Sequence, residues 1–137
     1  MRTGIAATVA TFVLALPAMA EGDAVAGEKV FRQCKACHMV ESPEETIVKG
    51  GRIGPNLYGV AGSAAGAQDG FRYSKLFEAA NEQGVTWTED NFVGYVQDPN
   101  GWLKDTTGAS GRSKMSFKLR KEDDARDVYA YLKSLAE

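Results

Sequence analysis

The chain of 137 residues has one histidine and two cysteines, and this scarcity excludes several kinds of site. Ligation of a metal by two histidines is impossible, and no histidine would be left over for acid–base catalysis. A tetrahedral zinc site takes four nitrogen or sulfur ligands, so here it would need a carboxylate or a water as well. A disulfide between Cys34 and Cys37 would close almost no loop and add little stability.

Long apolar runs are also scarce, and the one at the N-terminus is short. Arg2 is followed by an apolar stretch over residues 5–16 and by Ala-Met-Ala at residues 18–20. A basic start, a short apolar segment and a small-x-small site are typical of a signal peptide. The run is shorter than the roughly 18 to 20 residues that span a bilayer. We therefore expect cleavage after Ala20, which would leave one soluble, exported domain over residues 21–137.

The histidine and both cysteines stand together in the stretch Cys-Lys-Ala-Cys-His at residues 34–38. A thioredoxin-like redox pair expects such cysteines beside a βαβ pattern, but the flanks here are helical in character. C-x-x-C-H is the attachment signal of a c-type haem. Cysteines three apart share one face of a helical turn, so Cys34 and Cys37 can both bond the porphyrin edge while His38 lies under the iron. This pattern predicts one covalently attached haem c.

The ligand at the second axial position decides between a carrier and a catalyst, because an open iron permits ligand binding or peroxide chemistry. After the expected cleavage two methionines remain, Met39 and Met115. Met39 directly follows His38, and one residue of chain cannot reach the other haem face. Met115 lies far along the chain between polar neighbours. It could fill a gap in the core, but its setting favours iron ligation, so we expect His38 and Met115 to be the metal ligands.

Helical periodicity predicts four helices, with glycine-rich loop elsewhere. The first begins near Asp23 and runs to the cysteine motif, and the last covers about residues 122–135, with apolar positions on both that could pack together. Two shorter helices are expected, over residues 74–83 and 88–97, the second ending at Asp98-Pro99. The 15 glycines suggest that the loops follow the porphyrin edge.

With these motifs the sequence resembles the class I cytochromes c, specifically the bacterial cytochrome c2 type. The shared marks are Gly27 with Phe31, the C-x-x-C-H motif, Gly-Pro-Asn-Leu at 54–57, Trp87, Tyr95, Lys-Met-Ser-Phe at 114–117 and Tyr-Leu at 131–132. The resemblance implies an all-α class I cytochrome c fold, with helices and glycine-rich loops wrapped around one covalent haem.

The resemblance also assigns roles to individual residues. The Pro55 carbonyl would accept a hydrogen bond from His38, Tyr95 would lie near the Met115 sulfur, and Tyr73 and Trp87 would donate to a haem propionate. These aromatic residues could equally be plain packing around the porphyrin. One position departs from the pattern, because Ser63 stands where many relatives have an arginine beside the propionate.

The function that the resemblance implies is that of a periplasmic carrier with no enzymatic activity. It would shuttle one electron between a cytochrome bc complex and a terminal oxidase or a photosynthetic reaction centre. The alternative is an open-coordination haem enzyme or a gas-binding haem protein. Five basic residues and no acidic one lie between 112 and 121, so we expect a basic face around Lys114 to dock transiently on membrane redox complexes. A monomer is expected, with no nucleic-acid partner and no membrane span.

Overall fold

The computed structural model describes residues 21–137, and the expected signal peptide lies outside them. The first and last helices, α1 (Ala24–Phe31) and α5 (Glu122–Leu135), pack against each other as the sequence predicted. The Asp23 carboxylate caps α1 by accepting from the Val25 and Ala26 amides. A side chain at Gly27 would place its Cβ 1.9 Å from the Asp127 carbonyl oxygen, so only glycine permits this close helix crossing.

Three further helices, α2 (Lys75–Glu82), α3 (Glu89–Gln97) and α4 (Pro99–Thr107), form the other half of the described chain. Ser74 and Thr88 cap α2 and α3 through their side chains, and both helices agree with the prediction. The expectation of loop after residue 98 was wrong. Pro99 ends α3 but also begins α4, because a proline at the first helical position lacks only an amide that would have no partner there.

A small hairpin is the second departure from the expected loops. Strands β1 (Val40–Glu41) and β2 (Thr46–Val48) pair antiparallel just after the cysteine motif. The Asn56 side chain fastens the hairpin by accepting from the Glu41 amide and donating to the Glu41 carbonyl, both at 2.9 Å. Strands this short have no room to display an alternating pattern, so periodicity could not predict them.

The hydrophobic core lies between the inner faces of the helices, and one side of it borders a cavity. Its most deeply buried large side chains come from all parts of the fold: Phe31, Val40, Leu76, Leu103 and Leu132. Rings from α2, α3, α4 and the segment before α3 meet beside them, and Trp87 of that segment stacks on Trp102 of α4 at a centroid distance of 5.8 Å. Between residues 21 and 137, no helix combines the length and the apolar character needed to cross a bilayer.

Candidate functional site

A cavity of about 490 Å³ lies between the cysteine motif and the helices of the C-terminal half. This volume is within the range of about 300 to 1,000 Å³ that is usual for cofactor and ligand sites. The cavity brings together every residue that the sequence nominated for the site: Cys34, Cys37, His38, Pro55, Tyr73, Trp87, Tyr95 and Met115. Met39, which sequence reasoning rejected as a ligand, is buried elsewhere and does not line it.

The cysteine motif is a tight helical turn that continues from α1. The Cys34 amide donates to Phe31 O at 2.8 Å, and the Cys37 and His38 amides both donate to Cys34 O, at 3.1 and 2.9 Å. The two thiols are not joined in a disulfide. Burial, and then the neighbouring Cys37, raise the pKa of Cys34 to about 11. Reactive redox thiols have lowered pKa values, so the environment disfavours a thioredoxin-like pair.

The His38 ring is oriented by a single hydrogen bond. Its Nδ1 lies 2.9 Å from the Pro55 carbonyl oxygen, and because a carbonyl can only accept, Nδ1 carries the proton. Burial lowers the pKa of His38 more than the Pro55 contact raises it, which favours the neutral imidazole. A neutral ring with Nδ1–H fixed in this way leaves Nε2 as the free lone pair, the arrangement typical of a metal-ligating histidine.

The glycine-rich segment after β2 packs on the backbone of the cysteine motif at its start, and its residues 53–60 line the cavity, where the sequence suggested that loops follow the porphyrin edge. The Gly51 amide donates to Lys35 O at 2.9 Å and the Gly54 amide to Cys37 O at 2.8 Å. A Cβ added at Gly54 would lie 2.3 Å from Cε1 of His38. The missing side chain at Gly54 therefore allows Pro55 to reach the histidine ring.

Met115 lies in the loop between α4 and α5, and polar side chains fix its position. The Tyr95 hydroxyl donates to the Met115 sulfur at 3.3 Å. The Ser113 hydroxyl donates to the Met115 carbonyl at 3.0 Å, and the Ser113 amide donates to Asn100 Oδ1 at 3.0 Å. Sequence reasoning missed Ser113 and Asn100. The one available signal was a serine two residues before the proposed ligand, which is too common to be informative.

The remaining aromatic residues leave hydrogen-bond donors at the cavity. The Tyr73 hydroxyl accepts from the Gln68 amide at 3.1 Å, so its own proton is still available for an acceptor. Trp87 is largely buried and lines the cavity, and it is the Trp87 carbonyl, not the indole, that accepts from the Tyr129 hydroxyl. A buried phenol and indole usually find polar partners. These two donors therefore fit a bound group that carries carboxylates, as haem does.

Two residues bear on the position where the family pattern has arginine. Ser63 lines the cavity, but its hydroxyl donates to the Val60 carbonyl at 2.7 Å. Arg52, an arginine that could replace the missing one, pairs instead with Glu41 at 3.2 Å. The described part of the cavity lining contains one cationic residue, Lys114.

Two contacts hold the Lys114 side chain in place at the edge of the cavity. Its ammonium group donates to the Arg72 carbonyl and lies 5.9 Å from the centre of the Phe71 ring. Phe117, also in the cavity lining, is 42% exposed. Lys118 pairs with Asp98 at 3.0 Å, so part of the basic run serves to hold the loop to the end of α3.

Comparison with known proteins shows which family the chain resembles. The family model for cytochrome c matches residues 24–136. Cytochrome c2 of Rhodovulum adriaticum is 51% identical over 117 residues, covering 83% of this chain and 93% of that protein. Cytochrome c-550 of Paracoccus versutus is 49% identical over 137 residues, covering 96% and 88%. The solved structure of cytochrome c2 from Rhodobacter sphaeroides is 46% identical with a TM-score of 0.80, and the match covers 83% of this chain and 96% of that one.

Proposed function

This chain belongs to the cytochrome c family, and we propose that it is a periplasmic carrier whose single haem c is bonded to Cys34 and Cys37 and ligated by His38 and Met115. The observation that carries this assignment is the one cavity lined by all four residues. When bound, haem supplies a one-electron iron couple, and a thioether ligand favours its reduced state.

The side chains around the cavity explain how such a couple could work without bond chemistry. Pro55 fixes the His38 ring, and Tyr95 fixes the Met115 sulfur. Tyr73 and Trp87 direct donors to the cavity, where they would hold the haem carboxylates. Apolar walls from Leu57, Val60 and Phe92 exclude water from the remainder. A site held in this way changes little when one electron enters or leaves.

An open-coordination haem enzyme or gas-binding protein is the competing function. It would require Met115 to leave the iron, and Tyr95, Ser113 and Asn100 all hold the methionine loop in place. We therefore propose that the protein is not an enzyme. Reduced protein should bind no carbon monoxide in a spectroscopic titration at neutral pH. Stoichiometric binding by the unmodified protein would favour the competing function.

The electron-carrier family works with membrane complexes, and the partners proposed here are a cytochrome bc complex as donor and a terminal oxidase or photosynthetic reaction centre as acceptor. The basic face around Lys114 would steer the acidic surface of a partner towards the cavity opening, where Lys114 and Phe117 lie together. The proposed carrier acts as a monomer after removal of residues 1–20, which the mass of the exported protein would test.

The docking proposal can be tested by kinetics with purified membranes. The rate of electron transfer should fall as salt is raised, because exposed charges are screened. Lys114→Glu should lower the rate, whereas the matched variant Lys133→Glu, on the last turn of α5, should have a smaller effect. A rate that does not depend on salt, or equal effects of the two variants, would contradict the proposed face.

A further inference from the structure

A second cavity, of about 310 Å³, lies at the junction of α1, the β2 strand and α5. Its lining comprises Glu28, Phe31, Arg32, Lys35, Ile47, Val48, Lys49 and Tyr131. Phe31 is the one residue that also lines the larger cavity. No residue of the basic run 112–121 contributes, so this cleft is separate from the proposed docking face.

The cleft concentrates positive charge in a chain whose formal net charge is −2. Arg32, Lys35 and Lys49 line it together with a single acid, Glu28. All three cations are exposed, and in the described chain none of them forms an ion pair with a carboxylate. The basic residues that do pair with carboxylates in the described chain are Arg52, Lys118 and Arg126, and none of them lines the cleft. Three uncompensated cations in one concave site are chemically suited to a multiply charged anion.

Aromatic and aliphatic side chains back the cleft behind the three cations, and the aliphatic ones are the more exposed. Phe31 is 1% exposed and Tyr131 9%, and their rings pack at a centroid distance of 5.6 Å. Ile47 and Val48 add aliphatic surface from β2. The hydroxyl of Tyr131 donates to no acceptor found within residues 21–137. Burial, and then Glu28, raise the pKa of Tyr131, so its hydroxyl keeps the proton that a ligand oxygen could accept.

We propose that this cleft binds a small organic phosphate, with the phosphoryl group on Arg32, Lys35 and Lys49 and the organic body against Ile47 and Val48, beside Tyr131. A guanidinium fork beside two ammonium groups matches a phosphoryl dianion better than a single carboxylate. The volume is at the lower end of the range for small-molecule sites, which limits the body to about the size of one ring. Ile47 and Val48 are half-buried and give such a body aliphatic surface to pack against.

A ligand bound in the cleft would contact two residues that lie in or next to segments packed on the cysteine motif. Lys35 lies between Cys34 and Cys37, and its carbonyl accepts from the Gly51 amide. Lys49 precedes Gly50, where an added Cβ would lie 1.8 Å from His38 O. A ligand on Lys35 and Lys49 therefore touches the two segments that hold the histidine.

The test is a calorimetric titration of the holoprotein at low ionic strength with phenyl phosphate, and with inorganic phosphate to measure the phosphoryl group alone. We expect one saturable site, with phenyl phosphate binding at least threefold more tightly than inorganic phosphate. Arg32→Ala and Lys49→Ala should each weaken binding about tenfold, which corresponds to about 1.4 kcal/mol, because each removes a charged donor to the phosphoryl group. Tyr131→Phe, which keeps the ring, should weaken it about two- to fivefold.

Lys104→Ala and Lys133→Ala serve as matched controls, because each removes an exposed lysine that does not line the cleft. Equal weakening by controls and cleft variants would overturn the proposal, since it would indicate general attraction of anions. Absence of saturable binding of phenyl phosphate would also overturn it. The proposal would also be overturned if the protein bound only to phosphatidylglycerol vesicles and Arg32→Ala abolished that binding. The cleft would then serve as a contact for a membrane surface. These titrations follow binding directly, so their result does not depend on whether His38 and Met115 ligate iron.

Discussion

The two proposed axial ligands are held in different ways. His38 belongs to a turn whose backbone bonds to its own residues and to the glycine segment, with the Gly51 and Gly54 amides donating to it at 2.9 and 2.8 Å. Met115 belongs to a loop that side chains hold in place around the sulfur atom, namely the side chains of Tyr95, Ser113 and Asn100. The backbone bond nearest this loop joins the Leu119 amide to Val96 O at 2.8 Å.

This difference predicts which side of the cavity opens first by local unfolding. Backbone hydrogen bonds in a closed turn can be lost only by unfolding the turn, whereas side-chain bonds can break one at a time. The histidine side also has two neighbouring covalent bonds to haem. We therefore expect local opening to begin at Met115, and substitutions on that side to affect ligand exchange more than global stability.

The largest effect is expected from Met115→Ala. The haem should remain attached, but the reduced iron should bind carbon monoxide, and the midpoint potential should fall by a substantial part of the roughly 0.8 V that axial ligands span. Redox titration and carbon monoxide binding measure both results. Met39→Ala is the matched control, because Met39 does not line the cavity. An unchanged potential in Met115→Ala would exclude this residue as the ligand.

Gly54→Ala tests the His38 side of the cavity, which backbone hydrogen bonds hold in place. The new Cβ would lie 2.3 Å from Cε1 and 2.7 Å from Nδ1 of His38, so the ring or the Pro55 segment must move. Overpacking of this kind costs about 1 to 3 kcal/mol, which chemical unfolding of the holoprotein would measure. Gly70→Ala is the comparison, since it has a φ of 75° but open space around it, and backbone strain there costs about 1 to 2 kcal/mol.

The two glycine variants should differ in a second respect. Gly54→Ala should change the midpoint potential because it disturbs the His38 hydrogen bond, and Gly70→Ala should leave it unchanged. Identical potentials for both variants would indicate that the Gly54 contact has no influence on the ligand.

Asn100→Ala is expected to loosen the methionine loop. The Ser113 amide would lose its acceptor in a residue that is only 8% exposed, and an unsatisfied buried donor costs about 1 to 3 kcal/mol. Displacement of Met115 by added imidazole should become on the order of tenfold easier. Asn91→Ala is a suitable control, because it removes the hydrogen bond from the Asn91 side-chain amide to the Thr86 carbonyl and does not contact the methionine loop. Equal imidazole affinities in the two variants would contradict a positioning role for Asn100.

Tyr95→Phe should have a smaller effect of the same kind. Burial raises the pKa of Tyr95, so its hydroxyl remains a donor to the Met115 sulfur at neutral pH. Loss of this bond should ease displacement by imidazole by about 0.5 to 1.5 kcal/mol. Tyr129→Phe loses a hydroxyl that bonds the Trp87 carbonyl instead, so its imidazole affinity should match that of the unmodified protein. If both variants behave alike, the Tyr95 contact does not hold the sulfur.

The same contrast explains what the sequence could predict. Cys34, Cys37 and His38 lie within five positions, and their local spacing fixes their geometry. Pro55 is 17 residues from His38, and its role was predicted from the family resemblance and not from spacing. Met115 was found by elimination, because only two methionines follow residue 20. Asn100 and Ser113 are 13 residues apart, and their contact depends on α4, a helix that the sequence did not predict because Asp98-Pro99 indicated a stop. Proline both ends one helix and begins the next, and composition cannot distinguish these roles.

The smallest effect concerns Ser63, which lines the cavity where relatives of the c2 type often have arginine. A haem propionate held by the neutral donors Tyr73 and Trp87 lacks a fixed cation to offset its desolvation, so its pKa should be raised. Ferric iron adds a positive charge, so the pKa should be higher in the reduced protein than in the oxidised one. The ionised propionate stabilises the oxidised state, and the midpoint potential should therefore fall as pH rises between these two pKa values, within about pH 5 to 8. Ser63→Arg should raise the potential and flatten this slope, and Ser63→Gln, which adds length without charge, should do neither. A potential in the unmodified protein that is constant over this pH range would show that the propionate is already compensated.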